Sequence, residues 1–285
     1  MIRITECPRD AMQGIKDFIP TRKKAVYINS LLKCGFDVID FGSFVSAKAI
    51  PQMQDTAEVL KQLELDKTRS KLLAIVANER GAGDACSFEE ISYLGFPFSI
   101  SETFQQRNTN SSIIESLKRV EAIQNLCKKN KKELVVYISM AFGNPYGDEW
   151  DPEIAANWCR KLQQTGIRNL ALADTVGSST PETITSLFGM LIPEFQEIDL
   201  GAHLHSTSEK AREKIHAAYS SGCRNFDVAL YGFGGCPMAT DKLTGNLATQ
   251  QLLEYVVENQ IETQLDLHAL NAASKESLQI FNQYH

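Results

Sequence analysis

The chain of 285 residues has no apolar run near the ~20 residues that a membrane-spanning helix needs. It has no surplus of positive charge either. Its 29 lysines and arginines face 35 acids, for a formal net charge of −6. The densest basic run, "KKNKK" at 128–132, reads as the solvated end of a helix and the turn after it. Neither nucleic acid nor a membrane is therefore expected as a partner. No Cys-x-x-Cys pair occurs among the seven cysteines (7, 34, 86, 127, 159, 223 and 236), and their number is odd. That excludes an obvious disulfide framework or zinc knuckle and leaves reduced thiols in a cytoplasmic protein as the expectation. No linker rich in proline, glycine or serine divides the chain, so one domain over residues 1–285 is expected. "IRITEC" already reads as a strand from residue 2, and no targeting segment is expected ahead of it. Histidine is scarce: there are five, yet two stand one residue apart in "GAHLHS" at 201–206.

What is present is alternation. Short runs rich in Val, Ile, Leu and Phe recur at 2–6, 37–44, 72–77, 97–101, 134–140, 169–175, 198–205 and 225–230. They have the composition of strands buried on both faces. Helical patterns separate them. "DPEIAANWCRKLQQTG" has Asp151 to cap it, Pro152 in its first turn and Gly166 to stop it, and "TPETITSLFGMLI" opens on Thr180 and Pro181. The segments "CGFDVIDF", "LGFPFSIS", "TGIRNLALA" and "SGCRNFDVA" each read as a helix-ending glycine running into a strand. Eight β-then-α units beginning with a strand predict an α/β fold, a (β/α)8 TIM barrel over about 1–230, with a glycine-containing loop and C-terminal helices over about 231–285. A doubly wound sheet would want a Gly-rich phosphate turn after its first strand, and "CPRDAMQG" is not one. "GFGG" at 232–235 lacks the GK[ST] ending of a phosphate loop.

A barrel gathers its chemistry at the C-terminal ends of its strands. There the sequence offers Arg9 and Asp10, Asp40, Asp174 with Thr175, His203 with His205, and Cys236 in the final loop. Alternation along a strand puts both imidazoles on one face. Two imidazoles and a carboxylate with further oxygen donors suit a borderline-hard divalent ion, and Asp10 lies at a neighbouring strand end once the barrel closes. Each group also has a plainer reading. Asp174 in "ADTVGSSTPE" is of the type that caps helices and turns, and Cys236 has the default of a small buried hydrophobe. His216, His268 and His285 read as packing or surface histidines.

Several segments together resemble the 3-hydroxy-3-methylglutaryl-CoA lyase family, a branch of the metal-dependent barrels that include isopropylmalate and homocitrate synthases. They are "ECPRDAMQ", "SFVSAKAIPQM" at 43–53, "GNPYG" at 143–147, "LADTVG" at 172–177, "HLH", and "GFGGCPMA" with "GNLAT" up to 249. The resemblance implies a small-molecule acyl-CoA substrate and Mg2+ or Mn2+ as cofactor; a homodimer is expected, though no residue pattern fixes it. It implies Asp10, His203, His205 and Asn246 as metal ligands. It makes Arg9, Asp40, Asp174 and Cys236 catalytic, and Arg9, Gln13 and Tyr146 substrate-binding. The implied reaction cleaves 3-hydroxy-3-methylglutaryl-CoA to acetyl-CoA and acetoacetate. The chain departs from the family pattern at Asp40, where a glutamate is usual, at "HSTSE" (205–209) for "HDTYG", at "LADT" for "LGDT", and at Gln250 in place of an acid. These departures leave open a related 3-hydroxyacyl-CoA as substrate. A Claisen-type synthase or aldolase of the same group, and a barrel kept as a scaffold, are the alternatives.

Overall fold

A computed structural model describes residues 1–235 and 244–284. Eight parallel strands close into a barrel in sequence order. They are β1 (Arg3–Glu6), β2 (Val38–Ser43), β3 (Lys71–Ile75), β4 (Ile91–Ser99), β5 (Glu133–Ser139), β6 (Asn169–Ala173), β7 (Asp199–His203) and β8 (Asn225–Val228). The ring is sealed by β1 and β8, with Arg3 opposite Asn225 and Glu6 opposite Val228. The helices, in chain order, are α1 (Pro8–Gln13), α2 (Thr21–Leu32), α3 (Thr56–Leu60), α4 (Glu79–Cys86), α5 (Glu102–Thr109), α6 (Ile113–Lys129), α7 (Pro152–Gln164), α8 (Pro181–Glu194), α9 (Ser208–Ser220), α10 (Thr249–Glu258) and α11 (Leu267–Tyr284). This is the expected (β/α)8 barrel with C-terminal helices. No described helix is long and apolar enough to cross a membrane.

Local chemistry sets the helix starts. The Asp151 carboxylate accepts from the Ile154 amide at 2.7 Å, with Pro152 behind it. Thr180 and Thr183 form a reciprocal capping box at α8, and Ser112 and Glu115 do so at α6. Each cap satisfies amides that a first helical turn leaves without partners, worth about 1 kcal/mol apiece.

Three of the four predicted helix-ending glycines behave as read: Gly35, Gly166 and Gly222 take φ of 81°, 89° and 100°. The fourth does not. Gly95 lies inside β4, which begins at Ile91 rather than at residue 97. A Cβ on Gly95 would fall 2.5 Å from Ile75 Cδ1 and 3.0 Å from Tyr137. Its role is close approach: it leaves room for the small apolar plug of Leu73, Ile75, Tyr137 and Ala171. The larger apolar cluster joins the strands to the helices and continues through Leu270, Ile280 and Phe281 of α11. Phe281 meets Tyr27 of α2 edge-on and stacks on Phe233 at 4.1 Å.

Candidate active site

Helix α1 starts two residues after β1 ends, with Pro8 in its first turn, so Arg9 and Asp10 are held at the barrel rim. Both are buried. Arg9 Nε donates to Asp40 Oδ2 at 3.0 Å, and Nη2 donates to the same oxygen at 2.5 Å. Nη1 donates to Asp10 Oδ1 at 3.0 Å and to Gln13 Oε1 at 2.8 Å. Gln13 Nε2 donates to Asp10 Oδ1 at 2.8 Å, closing the ring. A guanidinium has five N–H donors, so one on Nη2 is left without a described acceptor. Asp40 comes from β2, where the pairing with β3 slips between Asp40 and Gly42 and re-aims the strand.

His203 ends β7. His205 lies just beyond it and forms an isolated antiparallel bridge with Asn246. The two rings lie 5.4 Å apart, on one side of the chain as alternation requires. Each Nδ1 is spoken for: His203 Nδ1 lies 3.1 Å from Asp227 Oδ2, and His205 Nδ1 lies 2.9 Å from the Thr244 carbonyl oxygen. A carbonyl can only accept, so His205 carries its proton on Nδ1 and presents a lone pair at Nε2. Asp227 favours the same tautomer for His203. Asn246 Nδ2 donates to Asp10 Oδ2 at 2.7 Å and to the Phe233 carbonyl at 2.9 Å. That fixes the amide and leaves its Oδ1 as an available donor to a cation. Gly234, with φ of 96°, packs so closely that a Cβ would lie 2.8 Å from the Asp10 carbonyl and from Asn246 Nδ2.

The charges make the case for a divalent cation on this structure's own terms. Arg9 stands against three carboxylates, Asp10, Asp40 and Asp227, all buried or nearly so. Burial works to lower His203, but Asp227 and Asp10 outweigh it and raise it, so a proton on that imidazole offsets part of the negative charge when no cation is bound. With both imidazoles neutral, as ligands must be, the excess is two negative charges in a low-dielectric pocket. One divalent cation neutralises it, and the four expected ligands supply two nitrogens and two oxygens of suitable hardness. Cys7, His203 and Asp227 also bring ligand atoms within 4.8 Å of one another. In that second grouping Asp227 already serves His203 Nδ1. Burial, with Asp227, Asp40 and Asp10 nearby, pushes the Cys7 thiol well above its ordinary range, which keeps it protonated and a poor ligand.

Burial lifts the Asp40 carboxyl to about 6 against the pull of Arg9. For Asp10, burial works upward, but Arg9, the two imidazoles and Asn246 outweigh it and hold the carboxyl below its usual value. Burial and the neighbouring His203 lower His205.

Arg9, Asp10, Gln13, His203 and His205 open on a cavity of about 580 Å3. Apolar side chains from loops and helices at the rim, among them Ile15, Phe18, Ile50 and Phe104, form its walls. Thr175 lines it too, but Asp174, its neighbour, does not. Both Asp174 oxygens are engaged inside the protein: Oδ1 accepts from the Ser179 amide at 3.0 Å, and Oδ2 accepts from Ser179 Oγ at 2.5 Å and Lys214 Nζ at 2.8 Å. Tyr146 stands behind the wall: it stacks on Phe104 with ring centres 6.1 Å apart and has the Arg107 guanidinium 4.6 Å from its ring centre. Its hydroxyl is buried without a described partner. Cys236 lies outside the described residues. Gln250, at the position of a family acid, accepts from the Tyr231 amide at 2.8 Å, and Ser206 pairs backbone to backbone with Gly245. His216 is a packing histidine, with Nδ1 3.0 Å from the Tyr255 hydroxyl.

Sequence reasoning passed over Asp227 and Lys214. Both carried a signal. Asp227 is the single acid in the apolar strand "NFDVAL", and Lys214 falls on the apolar stripe of its helix, in step with Ala211, Ile215 and Ala218.

Fold and rim together define a (β/α)8 barrel with an arginine, three aspartates and paired histidines gathered at the C-terminal face. The chain belongs to the HMGL-like family, whose profile matches residues 2–276. It is 33% identical over 270 residues to the 3-hydroxy-3-isohexenylglutaryl-CoA/hydroxy-methylglutaryl-CoA lyase of Pseudomonas aeruginosa, covering 94% of this chain and 89% of that protein. Its fold is similar to the HMG-CoA lyase of Bacillus subtilis, with a TM-score of 0.92 at 30% identity, covering 99% of this chain and 94% of the other. An HMG-CoA lyase from Acinetobacter baumannii, solved with coenzyme A and 3-methylmalate, matches at a TM-score of 0.91 and 29% identity, covering 99% and 92%.

Proposed function

We propose that the chain is a divalent-metal-dependent carbon–carbon lyase. It cleaves 3-hydroxy-3-methylglutaryl-CoA, or a close 3-hydroxyacyl-CoA, to acetyl-CoA and a 3-oxo acid, which is acetoacetate in the first case. The observation that carries this reading is the rim constellation: Arg9 is held between Asp40 and Asp10, and Arg9, Asp10 and two imidazoles whose Nε2 atoms have no partner among the described residues open on one cavity, with Asp40 buried directly behind Arg9.

Asp10, His203, His205 and Asn246 would hold the ion, Mg2+ or Mn2+. When bound, it supplies Lewis-acid polarisation of the C3 hydroxyl oxygen. The protein's residues do the rest. Asp40, with a carboxyl raised to about 6, is poised to accept the C3 hydroxyl proton near neutral pH. The electron pair of that O–H becomes the new C=O, the C2–C3 bond breaks, and its electrons move onto the thioester as an enolate. The remaining Nη2–H of Arg9 would meet the enolate oxygen, where a fixed cation in a dry site is worth several kcal/mol. An acid then protonates C2, and Cys236 is the proposed donor. Gln13 holds Arg9 and Asp10 in register. The geometry of Asp174 favours a supporting role over proton transfer. Tyr146 supports the Phe104 wall of the acyl pocket.

The relative named for both methyl- and isohexenylglutaryl thioesters and the apolar cavity walls support a substrate panel that varies at C3. The six described cysteines are all free, which fits a reducing, cytoplasmic setting for one catalytic domain. A homodimer is proposed, to be read by size exclusion with light scattering. The decisive experiment is acetyl-CoA release from 3-hydroxy-3-methylglutaryl-CoA with Mg2+ or Mn2+ and a reductant, against an EDTA control. Metal-dependent release is expected. Absence of release across methyl, ethyl and longer C3 substituents, with metal bound, would overturn the reading.

A further inference from the structure

Lys214 lies on the face of α9 that Ala211, Ile215 and Ala218 bury against the barrel, and it is itself 1% exposed. A lysine survives in such a place only when its ammonium is fully partnered. Nζ has three protons and three oxygens around it: Asp174 Oδ2 at 2.8 Å, the His205 carbonyl at 2.9 Å and the Gly177 carbonyl at 3.2 Å. Asp174 is completed by the Ser179 amide at 3.0 Å and the Ser179 hydroxyl at 2.5 Å. For stability alone an apolar pair of similar volume would serve as well or better, because both ions must be stripped of water.

What the ammonium adds is geometry. It grips the backbone of His205 directly. It also grips Gly177, at φ 73°, which is packed so tightly on Thr244 that a Cβ there would lie 2.8 Å from Thr244 Cγ2. The Thr244 carbonyl in turn holds His205 Nδ1 at 2.9 Å. One lysine therefore reaches His205 twice, through its carbonyl and, by way of Gly177 and Thr244, through its ring. The same stretch carries the other ligands into register. Leu247 donates to the Leu204 carbonyl at 2.9 Å and Ser206 to the Gly245 carbonyl at 3.1 Å, which places Asn246 opposite His205.

We infer that Lys214 is a positioning residue for the cation centre, acting through His205 and Asn246, with Asp174 as its counter-ion. The inference rests on the cation reading of the site given above. The test uses the full chain stripped with chelator and titrated with Mn2+, read by loss of the free-ion EPR signal. Two variants are compared with the parent: Lys214→Met, and the double variant Lys214→Met/Asp174→Asn, which leaves no unpaired buried charge. The expected result is Mn2+ affinity weakened roughly 10–100-fold, the range seen when groups behind a metal ligand are removed. Circular dichroism of the metal-free protein and KM for the thioester should stay near parental. If Lys214→Met does not fold, the double variant is read alone. Parental Mn2+ affinity in a folded variant, or failure of both variants to fold, overturns the inference. Failure of the parent itself to bind Mn2+ sinks the cation reading instead.

Discussion

At the scale of single residues, the site depends on which groups have neighbours that decide their protonation. Asp40 is the clearest case. Its fork to Arg9 would hold it ionised, yet burial dominates and lifts it to about 6. A base acts only when deprotonated, so kcat/KM is expected to fall as pH drops through a single limb at or below about 6, since a bound cation draws the limb downward. Asp40→Asn is expected to cost roughly 10²–10⁴-fold in kcat and to remove that limb, with Mn2+ affinity within about threefold of parental, because Asp40 is outside the proposed ligand set. Steady-state kinetics over pH 5–9 with a Mn2+ titration check this; an unchanged limb in the variant would reassign the base. Arg9, Asp10, His203 and His205 were legible in the sequence because residue type and strand-end position coincide. Asp174 was legible as an acid at a strand end, but its partner was not. Lys214 is 40 positions away, and only the folded barrel brings the two together.

At the scale of elements, one buried carboxyl joins β1 to both stems of the final loop. Glu6 ends β1; Oε1 accepts from the Leu230 amide and Oε2 from the Thr249 hydroxyl, both at 2.7 Å, on either side of the Cys236 segment. Burial, opposed by those two hydrogen bonds, raises its pKa from 4.5 to about 8. Between those values the folded protein keeps a proton that the unfolded chain has released. Stability on this account is full below about 4.5 and declines as pH rises through 8, by up to about 5 kcal/mol. Glu6→Gln keeps both hydrogen bonds, since the amide oxygen accepts from Leu230 and its nitrogen donates to Thr249. The variant is expected to match the parent near pH 5 and to melt above it by a margin that grows towards pH 9. Parallel melting curves across that range would show that the carboxyl is not held neutral. The elements themselves were mostly readable, because apolar runs and caps such as Asp151 and Thr180 act locally. β4 was misplaced because Gly95 and Pro97 look like breakers. The cue that they are not is the closeness of Ile75 and Tyr137, which belong to other strands.

At the scale of the whole molecule, the barrel concentrates like charge that no single element would tolerate. β1 and α1, β2 and β8 each deliver a carboxylate to one rim, and Arg9 answers only one of them in charge. The fold is therefore least comfortable when the centre holds no cation, and ligand linkage gives that discomfort a size. A cation at about 100 times its Kd adds about 2.7 kcal/mol to the folded state. For a chain of 285 residues that corresponds to a rise of roughly 5 °C in melting temperature. Mn2+ is expected to produce this rise and EDTA to reverse it. The rise should vanish in His205→Ala, which removes a proposed ligand but no carboxylate. Persistence of the full shift in that variant would mean that Mn2+ is answering the negative surface at large, in keeping with the net charge of −6, and not the centre at the rim. Raising the ionic strength separates the two further: a diffuse effect is screened within about 8 Å at 0.15 M salt, whereas an ion seated among Asp10, His203, His205 and Asn246 keeps its hold.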